Sequence, residues 1–464
     1  MSAQHVAVID IGKTNVKLAL VDLADLSEVA VLTRPNTVLP GPPWPHFDVQ
    51  GHWAFLLDGL AKLQSAHGIS AVSVTTHGAS GALIAADGTL AAPILDYEHC
   101  GPEDLSAAYR AIRPPFTETG SPPLAMGLNL GAQLHWQFTV DPELRARTRT
   151  IVTYPQYWGL RLTGVAATDV TSLGCHTDLW MPYAGRFSPL VDRLRIAGKL
   201  ARPRAPWEIL GPVLPEIAAQ TGLAPATPVY CGLHDSNASL LPHLLGQQAP
   251  FSVVSTGTWV IAMSIGAARK ALDPARDTLI NVSALGDPVP SARFMGGREH
   301  DLAAGGPYPP PTGQDIQDVL AGAQMFLPAV VPDSGPFAGQ AARWSGPEPA
   351  VGSGKRGAAV AFYLALVTAH CLELLGRAGP VIVEGPFARN ACYKLMLATV
   401  TGSDVLAMRG TTGTSQGAAL LARKTSVARD ADLTRADPTD DLHPRLLDYA
   451  RRWNGLASPD DTCP

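Results

Sequence analysis

Short apolar runs that end in small or polar residues recur along the chain, and they predict buried strands. The first run, residues 5–11 (HVAVIDI), stops at a tight turn, Gly12-Lys13-Thr14, and residues 16–21 return as a second strand. This pattern predicts a hairpin with a polar tip.

The same strand–turn–strand pattern occurs a second time. Residues 251–254 and 259–264 are apolar and flank the turn Ser255-Thr256-Gly257-Thr258. Because Gly12 and Gly257 occupy equivalent places in the two hairpins, the sequence predicts a duplicated unit, with one copy in each of two domains.

The remaining pattern alternates strands and helices, which is typical of an α/β protein. Apolar spacing predicts helices at residues 52–64, 129–140, 151–163, 358–375 and 414–422, and further helices that begin at 238 and 388. It predicts further strands at residues 71–75, 229–231, 381–383 and 404–408, and a hairpin at 83–94. Residues 34–50 and 296–313 are predicted to be loops, and the chain after residue 429 a surface tail.

Composition narrows the class of protein. The chain has 464 residues, 46% of them apolar and 16% charged, which is enough for two or three domains with large cores. A net charge of -5 without long basic runs argues against a nucleic-acid partner. Six cysteines without a C-x-x-C motif predict reduced thiols in the cytoplasm. We expect no leader, no membrane partner and no apolar run of transmembrane length.

Residues 230–241 (YCGLHDSNASLL) hold the candidate catalytic group. An apolar run ends at Gly232, a helix follows, and Asp235 falls at its predicted N-cap. The positive end of a helix favours an ionised carboxylate, which suits a base that accepts a proton from a sugar hydroxyl. The alternative is an aspartate that only caps the helix.

The first turn has the residue types of a phosphate-binding loop. Gly12 allows backbone amides to approach a ligand closely, and Lys13 and Thr14 supply a cation and a hydroxyl. Asp10, at the end of the preceding strand, is a candidate for Mg²⁺ binding through water. A plain hairpin with a polar tip remains the alternative.

Candidate sugar contacts follow another strand and lie on a helix. His77 and Gly78 come at the end of a strand, where polar residues commonly line a crevice in α/β proteins. Glu98 lies in an acidic and aromatic cluster, and Gln133 and Trp136 share one side of a helix. The alternatives are a structural histidine, a solvated loop and a helix with polar residues inside.

A second turn in the C-terminal half is a candidate nucleoside site. The strand at 381–383 ends in E-G-P-F, and a helix with Asn390 in its first turn is predicted to follow. A turn containing Gly385 can admit a flat base, and the Asn390 amide can bond the nucleoside.

Taken in order, these motifs resemble the FGGY family of carbohydrate kinases, closest to its rhamnulokinase and fuculokinase side. The resemblance is carried by VIDIGKT at 8–14, HDSNAS at 234–239, STGT at 255–258, EGPFARN at 384–390 and TSQGAA at 414–419. It implies a two-domain actin/hexokinase-like ATPase fold, ribonuclease H-like, with an interdomain cleft. The implied domains are a sugar-binding domain at 1–245, a nucleotide-binding domain at 246–430 and a tail at 431–464.

The resemblance also implies a role for each matching position. Asp235 matches the catalytic base, and Asp10 the aspartate on the metal side. The nucleotide positions are Gly12, Lys13, Thr14, Thr256, Gly257, Thr258, Gly385 and Asn390. His77 lies where the family contacts sugar. With the candidates taken from the residues themselves, the expected sugar positions are His77, Gly78, Glu98, Gln133, Trp136, His234 and Asp235. Residues 97–100 (YEHC) replace the aromatic-x-Asp-x-Arg motif common in the family.

The implied activity is transfer of the γ-phosphoryl group of ATP, with Mg²⁺, to a ketose such as L-rhamnulose or L-fuculose. The expected partners are a small sugar and ATP, with a homodimer left open. Two alternatives remain. The first is a pentulose or polyol kinase, and the second is a sugar-sensing regulator on the same fold that binds without turnover.

Overall fold

The computed structural model describes residues 5–409, 413–423, 425, 431–437 and 441–457. The chain divides into two compact units, each made of several stretches of sequence. The first unit comprises Met1–Gln247, Ile280–Pro288 and Thr412–Ala428, and the second comprises Gln248–Leu279, Val289–Thr411 and Arg429–Pro464.

The strands of the first sheet are β1 His5–Ile11, β2 Asn15–Asp22, β3 Glu28–Pro35, β4 Ala71–Thr76, β5 Ile209–Pro212, β6 Pro228–Tyr230 and β7 Leu233–His234. The strands of the second sheet are β8 Phe251–Thr256, β9 Val260–Ile265, β10 Thr278–Val282, β11 Pro288–Phe294, β12 Val381–Glu384, β13 Val405–Met408 and β14 Ala431–Thr434. Short strand pairs join Val38–Leu39 to His46–Phe47, Gly81–Ile84 to Thr150–Thr153, Thr168–Asp169 to Pro203–Arg204, Trp180–Met181 to Arg186–Phe187 and Met325–Leu327 to Arg343–Ser345.

The longer helices are α1 Val49–His67, α2 Leu130–Val140, α3 Tyr154–Thr163, α4 Asp235–Gly246, α5 Gly296–Ala304, α6 Gly313–Ala321, α7 Gly354–Leu374, α8 Ala391–Thr401, α9 Thr414–Ala419 and α10 Leu442–Ala457. Shorter helical segments are Ser106–Ile112, Phe116–Thr119, Leu144–Arg147, Val170–Leu173, Leu190–Arg193 and Pro215–Thr221.

The two sheets repeat one topology, which confirms the predicted duplication. The first sheet has the order β5-β6-β4-β1-β2-β3, with β7 also on β4, and the second has the order β10-β11-β9-β8-β12-β13-β14. In each, a hairpin and a third antiparallel strand (β1-β2-β3, β8-β9-β11) are followed by two parallel strands (β4-β6, β12-β13). An antiparallel strand then closes that edge in both sheets.

The first unit packs α1 and α3 on its sheet. Both helices begin with residue types that favour a helix N-terminus. The Asp48 carboxylate accepts the Gly51 amide at the start of α1, and Pro155 occupies the first turn of α3. The apolar faces of both helices are buried against β1, β2 and β4 in one core.

The second unit is built around α7. Ser353 caps the helix by accepting the Arg356 amide, and the apolar residues after it are almost all buried. By length and composition, α7 could cross a membrane, which corrects the expectation that no run is that long. However, 78% of its most apolar window is buried inside the structure, as in a core helix.

Two predicted loops contain regular or buried structure. Residues 296–304 form α5, where buried Glu299 accepts a hydrogen bond from the Tyr363 hydroxyl at 2.7 Å. This segment begins with two glycines and contains several charged residues, so it lacks the apolar periodicity that predicts a helix. In the segment 34–50, Trp44 and Phe47 are buried, so it is not a surface loop throughout.

Two other predictions were wrong in part. The strand Gly81–Ile84 pairs with Thr150–Thr153, so the helix predicted from 151 begins only at Tyr154. The predicted tail contains β14 and α10, and in α10 Trp453 is fully buried and donates to the Phe326 carbonyl at 2.6 Å. Helix α10 is polar on one face, which made it resemble a tail.

Candidate active site

Asp235 is the first residue of α4. His234 occupies the N-cap, one residue earlier than the prediction that gave this place to Asp235. The Asp235 Oδ1 atom accepts the Ser236 amide at 2.6 Å and lies 3.1 Å from His234 Nε2. The side chain is 28% exposed, and both hydrogen bonds from Ser236, one from its amide and one from its hydroxyl, are accepted by Oδ1.

The surroundings of Asp235 make it a stronger base than a surface aspartate. Burial raises the pKa of its carboxyl, and His77 and the Ser236 hydrogen bonds offset only part of that rise. Because a raised pKa increases the affinity for a proton, the position suits proton transfer.

Buried hydrogen bonds fix the backbone that enters α4. The His234 amide donates to Thr171 Oγ1 at 2.9 Å, and the Thr171 hydroxyl donates to Asp169 Oδ1. Asp169 is fully buried and also accepts the amides of Thr171 and Ser172. No local sequence pattern indicates this connection, because Thr171 lies 63 residues before His234.

His77 and Gly78 lie close to the same carboxylate. Burial lowers the pKa of His77 to about 4, so the ring is neutral at physiological pH. With its hydrogen on Nδ1, the ring donates to the Gly78 carbonyl at 2.8 Å, which makes Nε2 an acceptor, buried and without a hydrogen-bond partner among the described residues. A Cβ on Gly78 would lie 2.8 Å from His234 Nε2, so only glycine fits there.

Glu98 lies in a group with two other charged side chains. Its Oε2 atom is 3.0 Å from Lys13 Nζ, and the same ammonium contacts Asp96 Oδ1. The Lys13 ammonium also lies 4.8 Å from the centre of the Tyr97 ring. The Lys13 side chain, expected at phosphate, is therefore directed toward the residues expected to bind sugar.

Gln133 and Trp136, both predicted to bind sugar, are buried in the first unit. The Gln133 side-chain amide donates to the carbonyls of Ala79 and Gly127, so it connects the two loops that contain these residues. Trp136 packs edge-on against Trp44, with ring centres 5.6 Å apart. These contacts place both side chains inside the first unit, where each supports neighbouring loops or rings.

Asp10 and the first turn lie at the end of β1. The Asp10 Oδ2 atom accepts the hydroxyls of Thr414 and Ser415, and Lys17 Nζ is 4.0 Å away. Burial raises the pKa of Asp10, and the negative charge of Asp235 adds to the rise. The two carboxylates are thus close enough to repel each other.

Glycine at the first turn is not explained by the chain itself. Gly12 has no left-handed backbone, and the protein atom nearest to an added Cβ would be the Asn15 carbonyl oxygen at 3.5 Å, an ordinary contact. The Thr14 side chain is exposed beside it. The packing of the chain therefore does not require glycine at this turn.

The second turn, in the second unit, has the same property. An added Cβ on Gly257 would come no closer than 3.9 Å to a protein atom, the Trp259 carbonyl oxygen. Thr258 is exposed, and its carbonyl accepts the amide of Gly297 at 3.2 Å. A Cβ on Gly297 would lie 2.2 Å from the Gly257 oxygen, so α5 starts directly against this turn.

Thr256 joins the second turn to Gly385. Its hydroxyl donates to the Glu384 carbonyl and accepts the Phe387 amide at 3.2 Å. Gly385 has a φ of +84°, and an added Cβ would lie 1.9 Å from the backbone carbonyl oxygen of Thr256. Asn390 is the N-cap of α8, one residue before the helix that was expected to contain it, and accepts the Tyr393 amide at 3.0 Å.

The residues around Asp10 fit a magnesium ion held jointly with phosphates. They are a carboxylate and two hydroxyls, and Mg²⁺ prefers such oxygen ligands. Among the described residues, no group of three or more His, Cys, Asp or Glu could hold a metal ion alone. Magnesium at ATP sites usually has few protein ligands and takes the rest from phosphate and water.

The duplicated mixed sheet defines a protein of the two-domain, actin/hexokinase-like ATPase class. Two family models match the chain: the N-terminal domain of the FGGY family of carbohydrate kinases over residues 5–242, and the carbohydrate kinase FGGY C-terminal domain over residues 248–430. The chain therefore belongs to the FGGY family of carbohydrate kinases, which are phosphotransferases.

Known proteins agree with this assignment. The crystal structure of a carbohydrate kinase from Novosphingobium aromaticivorans has 35% sequence identity and a TM-score of 0.89, and the match covers 100% of both chains. A xylulose kinase from Rhodospirillum rubrum, with 21% identity and a TM-score of 0.77 over 98% of this chain and 99% of that one, shares the fold.

The curated relatives match over a shorter span. L-fuculokinase of Salmonella typhi is 26% identical over 275 residues, which is 57% of this chain and 57% of that relative. The chain thus matches little more than half the length of this relative.

Proposed function

We propose that this protein transfers the γ-phosphoryl group of ATP to a hydroxyl of a ketose, a deoxyketohexose such as L-rhamnulose or L-fuculose. The observation that carries the proposal is Asp235, a carboxylate with a raised pKa at the start of a helix, close to the unpartnered acceptor nitrogen of His77. The partial similarity to L-fuculokinase supports this sugar class.

In this reaction Asp235 is the general base. Its Oδ1 atom is engaged by Ser236, so Oδ2 accepts the proton of the attacking hydroxyl as the new oxygen–phosphorus bond forms and ADP leaves. Phosphoryl transfer requires positioning and charge stabilisation more than covalent catalysis. The hydrogen bond from His234 to Thr171 holds the base in place for this.

The two glycine turns hold the phosphates of ATP through backbone amides. Gly12 and Thr14 serve in the first turn, and Thr256, Gly257 and Thr258 in the second. Support comes from Gly12 and Gly257, where packing and backbone conformation both tolerate a Cβ. A ligand that approaches the backbone closely accounts for glycine at both places.

The nucleoside is placed at Gly385 and Asn390. The Gly385 turn is anchored by Thr256, a member of the second phosphate turn, so the two parts of the nucleotide site are connected. Asn390 uses its carbonyl oxygen to cap α8, which leaves its NH₂ group for the nucleoside.

Asp10 is the metal-side residue, with Thr414 and Ser415 as its partners. Magnesium, when bound with ATP, neutralises charge on the phosphates. Positive charge here would also relieve the repulsion between Asp10 and Asp235.

The sugar lies beside Asp235. His77 Nε2 accepts a hydrogen bond from a sugar hydroxyl, Gly78 leaves room next to His234, and Glu98 provides a further acceptor. Gln133 and Trp136 shape this part of the protein through the loops and rings that they support. In this proposal residues 1–245 carry the sugar and the base, and residues 246–430 carry the nucleotide.

The test is release of ADP from Mg-ATP in the presence of single sugars. The panel contains L-rhamnulose, L-fuculose, L-ribulose, D-xylulose and a polyol such as glycerol, and phosphorus NMR identifies the product. We expect the highest kcat/KM with a deoxyketohexose. A preference for a pentulose or the polyol would favour the alternative kinase, and sugar binding without ADP release would favour a regulator.

A further inference from the structure

The Lys13 backbone belongs to the first glycine turn, but its side chain leaves that turn. The ammonium contacts Asp96 Oδ1 and lies 3.0 Å from Glu98 Oε2. It also lies 4.8 Å from the centre of the Tyr97 ring and 5.5 Å from that of Phe47, as in cation–π contacts.

This environment is unsuited to a phosphate ligand. Two carboxylates surround one ammonium, so a phosphate drawn to Lys13 would also meet the negative charges of Asp96 and Glu98. The Asp96 side chain is only 10% exposed. Moving Lys13 away would leave that carboxylate buried without its cation, which is strongly unfavourable.

The same environment suits neighbouring hydroxyl groups. An ammonium has three N–H donors, and the carboxylates take two of them, which leaves one. Each carboxylate also has a second oxygen as an acceptor. Because a sugar hydroxyl both donates and accepts, a lysine N–H next to a carboxylate oxygen complements two adjacent hydroxyls.

The group is also next to the proposed base. The His77 ring centre is 5.0 Å from that of Tyr97, whose ring lies against Lys13. The charge of Asp235 raises the pKa of His77, and the charge of Lys13 lowers it. Lys13, Tyr97, His77 and Asp235 therefore form one continuous row within the first unit.

We propose that Lys13, held by Asp96 and Glu98, is a specificity-determining residue that binds two adjacent hydroxyls of a neutral sugar. Its ammonium is not a phosphate ligand. The group has two negative charges and one positive charge, so it disfavours sugar acids, which bring a further carboxylate. This inference rests on the proposed function for the identity of the site, but it concerns sugar binding alone.

The experiment is calorimetric titration of the full chain with single ligands in the absence of catalysis. The ligands are the ketoses of the panel above, D-gluconate as a sugar acid, and Mg-ATP in a separate titration. The variants are Lys13→Met and Glu98→Gln, and the control is Lys62→Met, which replaces an exposed lysine on α1. Thermal unfolding of each variant establishes that it is folded.

We expect Lys13→Met to weaken ketose binding about 10- to 100-fold, the usual effect of losing a charged hydrogen bond. Mg-ATP affinity stays unchanged, and Lys62→Met changes neither. Glu98 is half exposed, so Glu98→Gln is expected to fold normally and also to weaken ketose binding alone.

The opposite pattern would overturn the inference. If Lys13 binds phosphate, Lys13→Met weakens Mg-ATP and spares the ketose, while Glu98→Gln frees the ammonium and strengthens Mg-ATP binding. Tighter binding of D-gluconate than of every ketose, or no ketose binding by the unmodified protein, would also overturn it. Lys13-dependent ketose binding without ADP release would refute the proposed kinase activity and leave this inference standing.

Discussion

Replacing Thr171 by valine tests how the proposed base is held. In the structure the Thr171 hydroxyl accepts the buried amide of His234 at 2.9 Å and donates to the carboxylate of Asp169. Valine has nearly the same shape but can do neither. Asp235 follows His234 directly, so a change at this amide reaches the carboxylate of the proposed base through a single peptide unit.

The size of the effect follows from the two lost hydrogen bonds. A buried amide left without a partner costs about 1–3 kcal/mol, and a hydrogen bond to a carboxylate is worth about 1.5–3 kcal/mol. These contributions overlap, so we expect Thr171→Val to lower the free energy of unfolding by about 2–4 kcal/mol. A small displacement of a catalytic group lowers rates strongly, and we expect kcat to fall about 10- to 100-fold.

The assay is steady-state kinetics with the best sugar of the panel, together with urea unfolding. Thr171→Ser keeps the hydroxyl and should restore most of kcat. Thr221→Val is the matched control, because Thr221 is buried in the same unit, and its hydroxyl donates to the Ile217 carbonyl at 2.7 Å and accepts the Leu223 amide at 3.4 Å. Equal kcat in the Thr171→Val and Thr221→Val proteins would refute the positioning role, whatever their stabilities.

Three further predictions concern the base, the first turn and the last helix. Burial raises the pKa of Asp235, and a general base works only when it is ionised. We therefore expect kcat/KM to fall as the pH drops through a value above the ordinary aspartate pKa. A pH–rate profile that falls only at the ordinary aspartate pKa would contradict this. Gly12→Ala should keep the stability of the fold, measured by unfolding, but weaken Mg-ATP binding, measured by calorimetry. Unchanged Mg-ATP affinity would contradict a close approach of the nucleotide to this backbone. Trp453→Ala should lower the free energy of unfolding by about 3–5 kcal/mol, because Trp453 is fully buried, and a neutral effect in urea unfolding would show that α10 is dispensable.

The sequence predicted those parts of the fold whose signals are local. Both glycine hairpins, with Gly12 and Gly257 at their turns, could be read from apolar runs on either side of a small-residue turn. Helix α7 was predicted from its long apolar run. In contrast, α5 and α10 are stabilised by buried contacts such as Glu299 with Tyr363 and Trp453 with Phe326, which a local pattern does not contain.

The candidate site shows the same limit. The sequence placed Asp235 within one residue of its position in the helix, because a strand, a glycine and a helix follow one another there. It assigned Lys13 to phosphate because Lys13 is part of a glycine turn. Its carboxylate partner Asp96 is 83 residues away, and Thr171 is 63 residues from His234. Lys13 lies in a hairpin turn, Asp96 in a loop and Thr171 in the short helix Val170–Leu173, so tertiary packing sets these pairings and no spacing in the sequence indicates them.

The most direct measurement is the turnover of the Asp235→Asn protein with Mg-ATP and the preferred ketose. Asparagine keeps the size of the side chain and removes the proton acceptor. The account predicts a fall in kcat of at least about a hundredfold, with Mg-ATP affinity and thermal stability close to those of the unmodified protein. Turnover near the original rate would contradict the assignment of Asp235 as the base, and with it the central claim.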